Sequence, residues 1–311
     1  MSRSVEVPPL VLQTALSHGA SGRRWLDGLG ALVDALERDW GIAVGATMSG
    51  GTASYVAEAT TADGVAAVVK LAMPAEFDSL GDLSSEIRLL EIADGRGCAR
   101  LLDHDDDRRV LLLERLGRKL DDLALSVQVQ LEIICTTLER LWSLAPGNAE
   151  LQSGADKGRW LAEDIARKWE ELDRPCSARV IDQALSFAEN RIAKFDRERA
   201  VLVHGDAHAW NTLEDGKGSF KFVDPDGLIA DREYDLAVPM REFNDELLAG
   251  DALHIGQERC RLLSRRTNTD AGAIWEWGFI ERVSTGLLLQ KEGHEQLAHD
   301  FLDVVEQWAA G

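Results

Sequence analysis

His204-Gly205-Asp206-Ala207-His208-Ala209-Trp210-Asn211, with Asp224 at the end of the next extended stretch, is the segment that decides how this chain folds. Moving a phosphoryl group needs little covalent help from a protein. It needs a carboxylate that orients the attacking hydroxyl and takes its proton, and oxygen ligands that hold Mg²⁺ against the phosphates. Asp206 is the candidate base; Asn211 and Asp224 are the candidate Mg²⁺ ligands, an amide oxygen and a carboxylate being ligands that the ion accepts beside water and phosphate. Extended patterns at 200–204, 211–213 and 219–224, with Asp215-Gly216 as a turn, predict a hairpin that brings Asn211 and Asp224 onto neighbouring strands. A rival reading takes His204, Asp206 and His208, alternating as on one strand face, as ligands of a metal hydrolase. Gly205 at the centre favours a tight loop instead and no His-rich partner follows, so His208 reads as loop architecture.

Upstream, apolar residues Trp25, Leu29, Leu32, Val33, Leu36 and Trp40 recur at helical spacing and predict a helix over 23–40, closed by Gly41. Residues 48–71 read as strand, Gly-rich turn (49–54), strand, Asp63-Gly64 turn, strand. A helix over 83–93 carries Glu86 beside Leu83, Ile87 and Leu90, and two strands near 100–104 and 109–113 flank Asp105-Asp106-Asp107. Beyond 114–117 the chain turns helical: a long helix through 127–145, then 159–172 and 178–197, then the embedded hairpin, then helices over 241–310. This order predicts two lobes joined by a short hinge, and such junctions commonly hold ligands.

The chain has 311 residues, 45% of them hydrophobic, enough for one large domain or two lobes. No apolar run reaches about 18 residues, and the first residues lack a signal-peptide core, so no membrane partner and a cytoplasmic location are expected. Cys98, Cys135, Cys176 and Cys260 form no close pair, which argues against a zinc site or a disulfide scaffold. A net charge of −20 disfavours a nucleic-acid phosphate backbone as partner and would favour a small cationic one, plain solubility being the alternative reading of net charge alone. A monomer or weak dimer is expected.

Asp206-x-x-x-x-Asn211, preceded by His204-Gly205 and followed by a strand ending in Asp224, resembles the catalytic and metal-binding loops of the protein-kinase-like fold. The His-Gly-Asp form is similar to the aminoglycoside phosphotransferase and choline kinase branch. The runs from Phe222 to Ala237 and from Trp275 to Leu287 resemble, within that family, the streptomycin-type aminoglycoside 6-phosphotransferase and hydroxyurea kinase branch. The resemblance implies a bilobal α+β fold: a β-rich nucleotide-binding lobe over 1–113, a hinge at 114–117 and a mainly helical catalytic and substrate-binding lobe over 118–311. It implies ATP as donor, Lys70 on the α/β phosphates and Glu86 paired with Lys70. Backbone atoms of Glu114 and Leu116 would bind the adenine, and Ser49, Gly50, Gly51 and Thr52 would wrap the phosphates, although that turn is neither a Walker A nor a GxGxxG sequence. His204 and Asp235 would support the catalytic loop.

Asp224, Asp226, Asp231, Glu233, Asp235, Glu242, Asp245, Glu246 and Asp251 face only Arg232 and Arg241 in the segment 224–251. Carboxylates there suit a polycationic acceptor, and Asp226, Glu242, Asn244 and Glu281 are the candidate substrate contacts. Trp275 and Trp277, two apart, cannot share a helix face, so only one of them is expected to line a pocket. The acceptor implied by the resemblance is streptomycin, at its 6-hydroxyl. Another small molecule (a tuberactinomycin peptide, hydroxyurea, an amino alcohol or a sugar) and a catalytically silent nucleotide-binding module are the alternatives.

Overall fold

In the computed structural model, which describes residues 3–49, 51, 53–75 and 83–311, the chain divides into two compact units, Met1–Gly117 and Arg118–Gly311. The first is built on a five-stranded antiparallel sheet. Its strands are Ala43–Thr47 (β1), Ser54–Thr60 (β2), Ala66–Ala72 (β3), Leu101–Asp105 (β4) and Val110–Glu114 (β5), in the order β1-β2-β3-β5-β4. Alternation along β3 buries Ala67, Val69 and Leu71 on one face and leaves Val68 and Lys70 half-buried on the other. The buried face packs with Leu29, Val33 and Leu36 from a helix over Gly19–Trp40 (α2). Each such leucine or valine contributes roughly 2 kcal/mol when fully buried.

α2 starts four residues before the predicted helix and is preceded by another helix, Pro9–Ser17 (α1). Gly22 sits where the two helices touch. A Cβ at Gly22 would lie 1.7 Å from the Ala15 carbonyl oxygen. The helix Leu83–Ala93 (α3) then supplies Glu86.

The second unit is organised around a helix over Ala271–Lys291 (α10), buried around most of its circumference. Against it pack Gly154–Glu171 (α5), Ala178–Lys194 (α6), Arg232–Arg241 (α7), Ala252–Thr267 (α9) and Glu295–Ala310 (α11). Val127–Trp142 (α4) and the short Asn244–Leu248 (α8) complete the helices. α4 stops before the predicted residue 145. α5 begins at Gly154 rather than 159, where Ser153 and Asp156 form a reciprocal capping box. α6 ends at Lys194 rather than 197.

Two small sheets hold the loops. Val201–Val203 (β7) pairs antiparallel with Leu228–Ala230 (β10), which pairs in parallel with Gln152–Ser153 (β6). Thr212–Glu214 (β8) and Phe220–Phe222 (β9) form the predicted hairpin, with Thr212 opposite Phe222. β6, β10 and α7 went unassigned from sequence. The strands are too short to show alternation, and α7 buries every residue from Tyr234 to Met240, so it has no apolar stripe. Among the described residues no helix is long and apolar enough to cross a membrane.

Candidate active site

β7 delivers the chain to His204 and Gly205, and the backbone turns there at a left-handed φ of +89°. A Cβ on Gly205 would lie 2.8 Å from the Cβ of Asp226, so this position is closed to larger residues both by conformation and by contact. Asp235 of α7, wholly buried, accepts the N–H of Gly205 at 2.8 Å, the N–H of His204 at 3.1 Å and the indole N–H of Trp142 at 2.8 Å. Burial pushes its carboxyl up to about 6 against the pull of those donors. The His204 ring is also wholly buried. Its Nε2 donates to the Val223 carbonyl at 3.0 Å and its Nδ1 accepts the Asp206 N–H at 3.1 Å. Burial pulls this imidazole down to about 4, so it stays neutral and both ring nitrogens are committed.

Asn211 ends a 3₁₀ turn, Ala209–Asn211, that His208 caps by accepting the Trp210 N–H. Its Nδ2 donates to the Asp206 carbonyl at 3.1 Å and to Oδ2 of Asp206 at 3.2 Å. Its own carbonyl accepts the Val223 N–H at 2.9 Å, so the β8–β9 register sets it beside the residue that precedes Asp224. Asp224 is exposed, at a φ of +55° that aspartate tolerates better than most residues. The Oδ1 of Asn211 accepts no hydrogen bond among the described residues. An amide oxygen and an exposed carboxylate on adjoining segments fit a hard cation that keeps its other positions for water and phosphate.

The Asp206 side chain is half-buried and surrounded by donors. Nη2 of Arg241 reaches Oδ1 at 2.6 Å, and Nε2 of His208 reaches Oδ2 at 3.1 Å. Burial opposes its ionisation, but His208 and Arg241 outweigh it and hold the carboxyl well below the usual carboxylate range. The His208 Nδ1 accepts from Trp210, so the proton sits on Nε2, facing Asp206. With both nitrogens of His204 and of His208 so engaged, the hydrolase reading loses its ligands. Among the described residues no group of three or more His, Cys, Asp or Glu side chains is arranged to hold a metal.

Of the candidate substrate contacts, Glu242 and Glu281 meet at Arg241, whose Nε lies 3.1 Å from the one and Nη1 3.5 Å from the other. Glu281 also accepts the buried Tyr234 hydroxyl at 2.9 Å. Asp226 faces the buried Lys157 ammonium of α5 at 3.3 Å, and burial pushes its carboxyl up to about 6 despite that partner. Asn244 is engaged by Arg282. Trp277 is buried, with its N–H on Asp231 and its ring edge-to-face with Tyr234, while Trp275 stacks on Trp308. Trp277 is thus buried within the unit, while Trp275 is half-buried, so the two do differ in setting as their spacing predicts.

Lys157, Arg241 and His208 are the site residues that the sequence did not single out for these roles. Arg241 left one signal, as one of two bases in an acidic run; Lys157, on a helix far upstream, left none.

In the first unit, Nζ of Lys70 sits 2.7 and 2.8 Å from the two carboxylate oxygens of Glu86. The Glu114 side chain accepts the Arg100 N–H at 2.7 Å. Leu116 lies half-buried past β5, its N–H without a partner among the described residues. Ser49 is exposed and Gly51 half-buried in the β1–β2 turn, while Gly50 and Thr52 lie outside the described residues.

The fold is that of the protein-kinase-like small-molecule phosphotransferases. A choline kinase from Streptococcus pneumoniae superposes with a TM-score of 0.64 at 16% identity, over 92% of this chain and 100% of that one. Residues 39–293 match the aminoglycoside/hydroxyurea antibiotic resistance kinases, and the chain belongs to that family. It is 31% identical to a streptomycin 6-kinase of Streptomyces glaucescens, over 95% of this chain and 94% of the relative. It is 32% identical to a hydroxyurea phosphotransferase of Kitasatospora aureofaciens, over 75% and 67%.

Proposed function

We propose that this chain transfers the γ-phosphoryl group of ATP to a hydroxyl of streptomycin, at the 6-position, with Asp206 as the base. The observation that carries the reading is Asp206 itself, an ionised and partly exposed carboxylate. It is braced through its loop by Asp235 and held by Arg241, which also bonds Glu242 and faces Glu281. The 31% identity to a streptomycin 6-kinase supports the choice of acceptor.

Asp206 accepts the hydroxyl proton as the hydroxyl oxygen bonds to the γ-phosphorus. The bond from that phosphorus to its bridging oxygen breaks, and the electron pair leaves with ADP. Lys70, held by Glu86, binds the α/β phosphates, and backbone atoms of Glu114 and Leu116 take the adenine. Mg²⁺, for which Asn211 and Asp224 are the ligands, neutralises phosphate charge when bound. Glu242, Glu281, Asp226 and Asn244 shape the acceptor side, and a net charge of −20 enriches cations near the protein.

The test is incubation with ATP, Mg²⁺ and streptomycin followed by mass spectrometry. A gain of one phosphoryl group on the drug is expected. Asp206→Asn is expected to lower the rate on the order of 10³-fold, within the range of general-base contributions, while still binding ATP. Hydroxyurea, acted on by a relative of this chain, goes into the same assay. If it is phosphorylated and streptomycin is not, the base assignment stands and the acceptor changes.

A further inference from the structure

An ionised carboxylate offers about four lone-pair directions, two on each oxygen. On Asp206, Oδ2 takes N–H bonds from both His208 and Asn211, and Oδ1 takes one from Arg241. Among the described residues one direction remains, and it lies on Oδ1. We infer that Arg241 is a positioning residue for the transfer step: with His208 and Asn211 it locks the Asp206 carboxylate so that the acceptor hydroxyl can dock only at Oδ1. The inference rests on Asp206 being the base.

Arg241 is built in on every side. Its Nε bonds Glu242, its Nη1 faces Glu281, and Glu281 is itself buried and tied to Tyr234. Its carbonyl oxygen accepts Nη1 of Arg282 at 2.6 Å. Arg282 is wholly buried, with its guanidinium over the rings of Phe301 and Trp308. A planar fork with five donors can serve Asp206, Glu242 and Glu281 together; an ammonium at the same place supplies charge without that geometry. The opposing idea is that Arg241 only plugs a cation site and leaves when a cationic acceptor arrives. Leaving would strand the buried Glu281 carboxylate and abandon the Asp206 contact, so the packing favours a resident guanidinium.

The two ideas predict opposite kinetics. With the acceptor that wild-type protein phosphorylates, Arg241→Ala is expected to lower kcat on the order of 10²-fold, the cost of a misaligned reacting group. The acceptor KM should change little, and ATP binding should be unchanged. Guanidinium ion at millimolar concentration should restore part of kcat to Arg241→Ala and none to Asp206→Asn. Arg241→Lys should fall between wild type and Arg241→Ala. Because removing one buried charge can unfold the site, the pair Arg241→Gln with Glu281→Gln repeats the measurement with the charges balanced.

An unchanged kcat with a lower acceptor KM overturns the inference in favour of the plug, and a kcat loss that guanidinium leaves untouched overturns it as well. An active Asp206→Asn sinks the base assignment, whereas an inactive Asp206→Asn beside a fully active Arg241→Ala sinks only the role of Arg241.

Discussion

In the N-terminal unit Lys70 donates to both carboxylate oxygens of Glu86 beside a sheet of alanine, valine and leucine. The C-terminal unit spreads charge over Lys157, Asp206, Asp226, Arg241 and Glu281, drawn from two loops and the helices α5, α7 and α10. Two different problems are being solved. On the proposed function a phosphate-binding lysine needs a fixed position, which strand periodicity and the Glu86 carboxylate help to supply. On the same proposal a base facing a cationic acceptor must stay ionised among other acids, which requires compensating cations inside the cluster. The candidate groups of the first unit thus come from one strand and one helix, while those of the second come from two loops and three helices.

That contrast is broken most sharply at Lys70. Removing the ammonium that both Glu86 carboxylate oxygens accept weakens a largely buried pair, at a cost of up to about 3–5 kcal/mol. Lys70→Met should therefore both lose turnover and lower the unfolding midpoint. Lys70→Met with Glu86→Leu should regain much of the stability and none of the turnover. If the double variant unfolds as early as the single one, Glu86 is not what makes the loss of Lys70 costly.

Much of the first unit could be read ahead of the structure because its determinants are local. Asp63-Gly64 marks a hairpin, and the alternation along 65–71 fixes which way Lys70 points. The candidate catalytic loop is legible for the same reason, since Asp206 and Asn211 share one short segment and Asp224 follows the hairpin β8–β9. What stayed hidden is contact between residues far apart in sequence. Nothing in the spacing of 157, 206, 241 and 281 says that their side chains meet. α1 is likewise hidden, since its packing on α2 at Gly22 is a contact that spacing does not show.

His204 offers a probe of the second unit that does not depend on turnover. Its ordinary value is 6.5, and the folded protein lowers it to about 4 through burial. Between those two pH values the unfolded chain binds the proton and the folded one does not, so stability falls as pH falls. At 1.36 kcal/mol for each unit, the loss attributable to this ring amounts to about 3 kcal/mol by pH 4. It is absent above pH 6.5 and grows no further below about 4. Ring NMR should show a neutral imidazole with its proton on Nε2 down to pH 5, and His204→Gln should flatten this part of the stability profile. A ring that titrates near 6.5 would remove His204 from the buried support of the loop.

The smallest effects test whether charge in the cluster is shared equally. Glu242 and Glu281 both face Arg241, but their settings differ. The Glu242 side chain is 32% exposed, while that of Glu281 is 8% exposed and also holds the Tyr234 hydroxyl. Water can take over for Glu242, so Glu242→Gln should raise the acceptor KM only a few-fold, in keeping with the ~0.2–1 kcal/mol of exposed pairs, and leave stability unchanged. Glu281→Gln leaves a buried guanidinium with one carboxylate fewer, so it should lower both kcat and the unfolding midpoint. Steady-state kinetics and thermal unfolding of the two variants side by side decide the matter. Equal losses would mean that the cluster acts as a diffuse field. Unequal losses, with Glu281 the larger, would mean that it works through the contacts made at Arg241.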